Sequence, residues 1–352
     1  MLFHIILMTK FEILEEDFSS LKKSFDFSLL KNSSVFVTGA TGLLGSQILL
    51  FLDYLNRTEN YSMTLIGLIR NEEKAQKVFG ESFNTITFIK GDVLKLPIIP
   101  QHIDYIIHGA SVTSSLDFVS KPVETIDIAI NGTMNILRFA QSKAVKSMVY
   151  LSSMEVFGIT DGKGKVSESD YGYIDILSTR SSYSESKRLC ECLCHSFAKE
   201  FSMPIKIARL TQTLGAGIDY NDTRVAAQFA RAVIENHDIV LKTTGATKRP
   251  IIYTSDAISG ILTVLLKGAD SQAYTIANEE TFYTIRETAE MIVSEIAKDK
   301  IKLVFDIKGV PQEYAPNLNL NLNLNTSLLR SLGWSAKVGL KEAYERMIEG
   351  MR

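Results

Sequence analysis

Residues 34–45 read Ser34-Val35-Phe36-Val37-Thr38-Gly39-Ala40-Thr41-Gly42-Leu43-Leu44-Gly45. The first five are a short, largely apolar run bounded by glycine, as a buried parallel strand requires. Gly39, Gly42 and Gly45 follow at Gly-x-x-Gly-x-x-Gly spacing. Ser46–Leu52 then has the length and apolar content of a helix. Glycine is needed where a backbone turns tightly or approaches a phosphate closely. A helix N-terminus offers unpaired N–H groups and a positive dipole end, which suit a pyrophosphate. Strand, glycine loop and helix in this order are the context that makes the spacing a dinucleotide-binding signal.

The alternation continues outward from that loop. Met63–Ile69 reads as a strand, Glu72–Phe79 as a helix, and Ile86–Lys90 and Ile103–His108 as strands. Val123–Gln141 reads as a long helix, Ser147–Leu151 as a strand, Ser182–Phe201 as another long helix and Pro204–Leu210 as a strand. Strands alternating with helices imply a parallel sheet covered on both faces. The expected fold is α/β, a Rossmann-type doubly wound parallel sheet with a smaller, interleaved C-terminal lobe. Residues 34–211 and about 250–267 form the dinucleotide-binding domain on this reading, with a helix at Ile252–Leu266. Residues 212–249 and 268–352 form the substrate lobe. Residues 1–33, with Phe11, Phe18, Phe25 and Phe27, read as a helical extension of one or two short helices packed outside the main fold. Asn317–Asn325 alternates Asn and Leu strictly, and fits either a half-buried strand or a low-complexity loop insertion.

The chain has 352 residues, 45% of them apolar and 22% charged, enough for a sizeable core. Its net charge of −2 argues against a whole-chain grip on nucleic acid. No stretch reaches the roughly 18 consecutive apolar residues that span a bilayer. Met1–Met8 is apolar but has no basic flank before it and no small-residue cleavage site after it, so a soluble cytoplasmic protein is expected. Three cysteines imply no disulfide framework, and five histidines show no metal-ligand spacing, so no metal is expected. Cys190, Cys192 and Cys194 fall inside a predicted helix, where only Cys190 and Cys194 share a face; packing is the expected role.

The end of the second strand bears on cofactor choice. An acidic residue there accepts from a ribose hydroxyl, and a basic one suits a 2′-phosphate. Arg70 holds that place, which favours NADP over NAD. Asp92, after the third strand, is placed to accept from the adenine amino group. Gly109, Ala110 and Ser111 end the next strand with small residues past which a cofactor can run.

Tyr183 and Lys187 lie four apart and share one helix face. A phenol with a pKa of about 10 is a poor base at neutral pH. A nearby ammonium and a positive nicotinamide ring favour the phenolate. The pair can then remove a proton from a substrate hydroxyl while hydride leaves the same carbon. Tyr150-Leu151-Ser152-Ser153-Met154-Glu155-Val156-Phe157-Gly158 supplies a serine-bearing strand end that can hydrogen-bond the reacting oxygen.

These motifs, in this order, resemble the extended short-chain dehydrogenase/reductases of the NAD(P)-dependent epimerase/dehydratase family, which act on nucleotide-linked sugars. The resemblance also rests on Asn131-Gly132-Thr133, Arg209-Leu210 before Gly215, Arg249 ahead of Tyr253-Thr254-Ser255-Asp256-Ala257, and Leu332-Gly333-Trp334. It spans about residues 34 to 350. It implies Ser153 as catalytic serine, Tyr183 as base with Lys187 as its partner, and Asn131 as a support for the active-site helix. It implies a tightly bound NAD(P) held by Gly39, Thr41, Gly42, Leu43, Leu44, Gly45, Arg70, Asp92, Val93, Gly109, Ala110, Ser111, Leu151, Tyr183 and Lys187. Thr113, Ser114, Ser153, Met154, Gln212 and Arg249 are the implied neighbours of a nucleotide-diphosphate sugar, Arg249 on the diphosphate. A homodimer through a four-helix bundle of the two long helices is also implied. Leu189, Leu193 and Phe197 at i, i+4 and i+8 fit that interface or an ordinary core.

The departures matter as much. The family's 4,6-dehydratases carry Asp then Glu after the catalytic Thr or Ser. Here Met154 replaces the acid and Glu155 remains, as in nucleotide-sugar decarboxylases with an uncharged residue at the first position. Gln212 stands where many relatives have asparagine. The expected function is modification of a nucleotide sugar by transient C4 oxidation, of the epimerase, dehydratase or decarboxylase type, with Glu155 as an additional acid/base. The alternatives are an NADPH-dependent reductase of a keto sugar or other carbonyl, and a non-catalytic NAD(P)-binding protein. Near-neutral overall charge makes Arg70, Arg249 and a helix N-terminus the local sources of positive charge for a diphosphate.

Overall fold

The structure, a computed structural model, describes residues 9–160, 162, 164–307 and 321–352. The first half runs α1 (Lys10–Leu21), β1 (Ser34–Thr38), α2 (Leu43–Glu59), β2 (Thr64–Ile69), α3 (Glu72–Phe79), β3 (Thr87–Lys90) and β4 (Tyr105–His108). It continues with α4 (Ser115–Ser120), α5 (Pro122–Lys143), β5 (Ser147–Ser153), α6 (Ser181–Glu200) and β6 (Ile205–Leu210). The second half adds β7 (Gln212–Leu214), α7 (Val225–Glu235), β8 (Ile239–Leu241), β9 (Lys248–Arg249), β10 (Ile251–Tyr253), α8 (Thr254–Lys267) and β11 (Ala273–Ile276). After these come β12 (Tyr283–Thr284), α9 (Ile285–Met291), β13 (Leu303–Phe305), α10 (Ser327–Arg330) and α11 (Leu340–Met351).

Seven strands form one sheet in the order β11-β6-β5-β4-β1-β2-β3, parallel throughout. β1 is buried at every position, as expected of a central strand covered on both faces. One face packs against α1, α2 and α8, the other against α5 and α6. The chain leaves β1 toward β2 and returns through β4 on the other side. The loops after β1 and β4 therefore diverge and open a crevice at the carboxyl ends of the strands. A second core joins α7, β8, β10, the segment after α9 and α11 into the smaller lobe.

The boundaries expected from sequence shift in three places. The N-terminal segment does not lie outside the fold: Ile13, Leu14, Phe18, Leu21, Phe27 and Leu30 are all buried in the main core. A helix at 252–266 begins instead at Thr254, because Ile251–Tyr253 pairs with β7 as a short strand. Residues 268–352 are not all substrate lobe. β11 is the seventh strand of the main sheet, and Leu329 and Trp334 pack into the main core. Of the Asn-Leu repeat, residues 317–320 fall outside the described residues. In the remainder Leu322 and Leu324 are buried beside Met154 and Phe157, and Leu324 bridges Val166 in parallel. That part supports the half-buried extended reading. Cys190 and Cys194 are buried and Cys192 exposed, in keeping with a packing role.

Candidate active site

The glycine loop is built as a cradle with no room for side chains at Gly39 and Gly45. Gly39 has φ +69°, and a Cβ there would lie 2.7 Å from the Gly109 carbonyl carbon. A Cβ on Gly45 would lie 2.3 Å from the Gly39 oxygen. Gly42 caps α2 and donates its N–H to the Gly39 carbonyl at 2.9 Å. Thr41, Leu43 and Leu44 are half-buried; Leu43 leans on the second core and Leu44 on the first. The first-turn N–H groups of α2 thus face the crevice with glycines at each close approach, which fits a dinucleotide pyrophosphate.

β4 sits beside β1 through a buried histidine. His108 Nδ1 pairs with Thr38 Oγ1 at 2.7 Å and His108 Nε2 with Thr133 Oγ1 at 3.1 Å. Burial, with the charge of Lys187, pushes the imidazole down to about 3, so it is neutral and bridges two hydroxyls. This fixes the Gly109–Ser111 turn, where Ala110 donates its N–H to Thr38 Oγ1 at 3.3 Å. At the other end of the crevice Arg70, with its side chain 76% exposed, reaches Asp92 at 3.8 Å. Asp92 also accepts from the Leu94 N–H. Val93 packs under Gly132 of α5, where a Cβ would meet it at 2.8 Å.

The candidate proton-handling groups meet where β5 ends and α6 begins. Ser153 hydrogen-bonds the Tyr183 hydroxyl and accepts from the Glu155 N–H at 3.2 Å. Lys187 donates to the Leu151 carbonyl at 2.8 Å, and its ammonium lies 5.7 Å from the centre of the Tyr183 ring. Burial pushes Lys187 down to about 8, against the pull of Cys190, Glu191 and Cys194. Burial raises the Tyr183 phenol, and the Glu155 charge adds to the rise. The Ser153 hydrogen bond, Arg180 and Arg224 act in the opposite direction.

Glu155 is held at both oxygens. Arg180 donates to one at 2.7 Å and Ser184 to the other at 2.8 Å. Arg249, from β9, faces the same region. Burial lowers its pKa, with Glu155 opposing that shift and Arg180 adding to it. Its guanidinium has no hydrogen-bond or ion-pair partner among the described residues.

Several expected residues lie elsewhere. Asn131 is exposed and donates to Asp127 one turn earlier at 2.5 Å, so it supports its own helix rather than the active site. Met154 is buried in the apolar cluster with Phe157, Leu322 and Leu324. Thr113 is exposed, and Ser114 caps α4 through the Asp117 N–H. Ser111 turns back to the Val112 carbonyl. Gln212 opens β7, partly buried, on the rim. Ser152 donates to Glu191 at 2.5 Å; Glu191 is buried in an ion pair with Arg209 beneath the site. Sequence reading missed Arg180, Ser184, Arg224 and Phe118. Arg180 precedes Tyr183 by three residues, so helical spacing held a signal for it. Phe118 comes from a separate helix and had none.

A Rossmann sheet that carries its proton-transfer pair on the helix following β5 defines the short-chain dehydrogenase/reductase class. Within that class the chain belongs to the NAD dependent epimerase/dehydratase family, whose model matches residues 35–277. It is similar to UDP-glucuronic acid decarboxylase 6 of Arabidopsis thaliana, 27% identical over 324 residues, covering 91% of this chain and 89% of that one. Its fold matches epimerase Mth375 of Methanothermobacter thermautotrophicus with a TM-score of 0.78 and 21% identity, over 97% of this chain and 95% of that one. It also matches DesIV, a dTDP-glucose 4,6-dehydratase of Streptomyces venezuelae solved with NAD bound, with a TM-score of 0.73 and 20% identity, over 90% and 96%. The chain is an enzyme of this NAD-dependent family. No helix among the described residues is long and apolar enough to cross a membrane.

Proposed function

We propose that this enzyme decarboxylates a nucleotide-linked uronic acid after transient oxidation at C4. The observation that carries the reading is Glu155, held by Arg180 and Ser184 beside Tyr183, with the uncharged Met154 turned into the core. The decarboxylase named among the similar proteins supports it. A nicotinamide dinucleotide in the glycine cradle supplies a hydride acceptor and donor for the sugar. The chain's own residues handle protons and charge. Tyr183 takes the C4 hydroxyl proton, with Ser153 on the same oxygen and the Lys187 charge favouring the phenolate. A C4 ketone weakens the bond from C5 to its carboxylate. When that bond breaks, CO2 leaves and the electron pair remains on the enolate. Glu155 then manages the proton that C5 must gain. Arg249, the buried guanidinium facing Glu155, meets the diphosphate.

Arg70 supports NADP as the cofactor, since its exposed guanidinium can leave Asp92 for a 2′-phosphate. A homodimer is proposed through α5 and α6, where Val123, Ile126 and Leu189 are exposed and Leu193 and Phe197 only half-buried. Unpaired cysteines, two of them buried, suit a cytoplasmic setting.

The test is to incubate the purified enzyme with nucleotide uronates and nucleotide hexoses without added cofactor. Release of CO2 from a uronate, with no net change in reduced nicotinamide, is the expected result. No release of CO2 from any uronate, together with stoichiometric consumption of added NADPH as a supplied keto sugar is reduced to the alcohol, overturns internal redox and favours a reductase, which Arg70 also suits.

A further inference from the structure

The first turn of α6 faces two neighbours, and one of them has no part in the chemistry above. Phe118, on α4, is only 3% exposed. Its ring stacks on Tyr183 at 4.2 Å between centroids with 12° between planes. The Arg180 guanidinium lies over the same ring at 4.7 Å. Ser182 donates its hydroxyl to the Phe118 carbonyl at 2.9 Å. Arg180, the N-cap of α6, and Ser182 and Tyr183 in its first turn thus converge on one side chain and its backbone. Arg180 Nη1 is buried without a hydrogen-bond acceptor, so the aromatic face is what receives that part of the guanidinium. Its Nη2 goes to Glu155 at 2.7 Å, and Ser184 holds the other Glu155 oxygen at 2.8 Å.

The geometry points to Phe118 and Arg180 as positioning residues that lock Tyr183 and Glu155 into one rigid unit, with the Phe118 ring as the shared brace. The turnover arm of this inference rests on the function proposed above; the geometric arm does not. A planar ring holds the phenol ring parallel to itself, with its hydroxyl at Ser153. The same ring fixes the guanidinium plane, and through it the carboxylate. Misplacing a reacting group by about 1 Å costs on the order of 10²-fold in rate. An aliphatic side chain of similar size would fill the space and leave both groups unaligned.

The experiment compares Phe118→Leu, Phe118→Tyr and Arg180→Lys with wild type on a nucleotide uronate. Phe118→Leu is expected to lower kcat roughly 10- to 100-fold, with KM for the nucleotide sugar within about 3-fold. Phe118→Tyr, which keeps the flat face, is expected to retain most of kcat. Arg180→Lys is expected to lower kcat in wild type but to add nothing in a Glu155→Gln background, because it acts through Glu155. Independently of turnover, the Tyr183 ring resonance, assigned with Tyr183→Phe in selectively labelled protein, is expected to move downfield in Phe118→Leu as the stacked ring current is lost. If wild type converts no nucleotide sugar yet that resonance moves, the brace stands and the proposed reaction falls. A Phe118→Leu variant with unchanged kcat, an unmoved Tyr183 resonance, or full additivity of Arg180→Lys with Glu155→Gln overturns the brace.

Discussion

Tyr253 donates its hydroxyl to Asp17 at 2.6 Å, across 236 residues of chain. Tyr253 ends β10 at the hinge between the lobes, and Asp17 sits on α1, before the family's matched region. Arg346 of α11 completes the cluster, 2.8 Å from Asp17 and 3.2 Å from Glu16. α1 is therefore a strap that joins the second lobe to the dinucleotide-binding core.

This cluster makes stability depend on pH in a stated direction. Burial pushes the Asp17 carboxyl up to about 6, against the pulls of Tyr253 and Arg346. An acid raised in the folded state adds stability below its unfolded pKa, and that contribution is lost as pH rises through the folded value. The window is thus about pH 4 to 6, and the size is at most about 3 kcal/mol. In thermal unfolding, the advantage of wild type over Asp17→Asn should shrink as pH rises across that window. An advantage independent of pH would mean that Asp17 titrates normally.

The glycines of the phosphate loop should rank by the space around them. A Cβ at Gly42 meets only the Gly39 oxygen at 3.2 Å, whereas at Gly45 it would stand 2.3 Å from the same atom. Gly45→Ala and Gly39→Ala should lose cofactor in calorimetric titration, with a strain cost on the order of 1–3 kcal/mol. Gly42→Ala should keep most of its affinity.

Lys187 should confer its benefit only while charged. With its pKa near 8, it loses the proton between about pH 7 and 9. The turnover advantage of wild type over Lys187→Met should be largest below pH 8 and should shrink above it. An advantage that grows with pH would assign Lys187 a role other than charge.

Glu155→Gln keeps the shape and the Ser184 donor but removes the charge that pairs with Arg180. Turnover should fall by roughly 10²–10⁴, the usual size of a general acid–base contribution, with substrate binding retained. Wild-type turnover in that variant removes Glu155 from the mechanism.

The pair beneath the site should matter for stability. Arg209 is fully buried, donates twice to Glu191 and once to the Glu168 carbonyl at 2.7 Å, and lies over Phe157 and Tyr171. Arg209→Met leaves Glu191 as an unpaired buried charge and should cost about 3–5 kcal/mol in denaturant unfolding. Adding Glu191→Leu should recover much of that loss.

The sheet and the dyad were legible because both are local patterns. A strand, a glycine loop and Tyr-x-x-x-Lys each fall within a few residues, and helix Glu72–Phe79 matches its expected ends. What was not legible depends on long-range packing. α1 is polar enough to read as a surface helix, yet five of its twelve residues are buried, against α2 and against α8 and α11, which lie hundreds of positions away. β11 is four residues long, too short to announce a seventh strand without β6 beside it. That Met154 has no proton to donate is plain from its side chain, but its burial depended on the Leu322–Leu324 segment, which no local pattern connects to it.

The late arrival of β11 bears on how this chain can be cut. It covers the edge of β6 and is encoded after α7, β8, β9 and β10 of the second lobe. A fragment ending near residue 211 would expose the Ile205–Leu210 edge, and with it a row of unpaired backbone donors and acceptors. It would also lack α8, which covers one face of the sheet. The cofactor-binding half is consequently no free-standing module. A ribosome must release the chain past Ile276 before the seventh strand can pair, which extends the aggregation-prone interval of folding into the later part of synthesis.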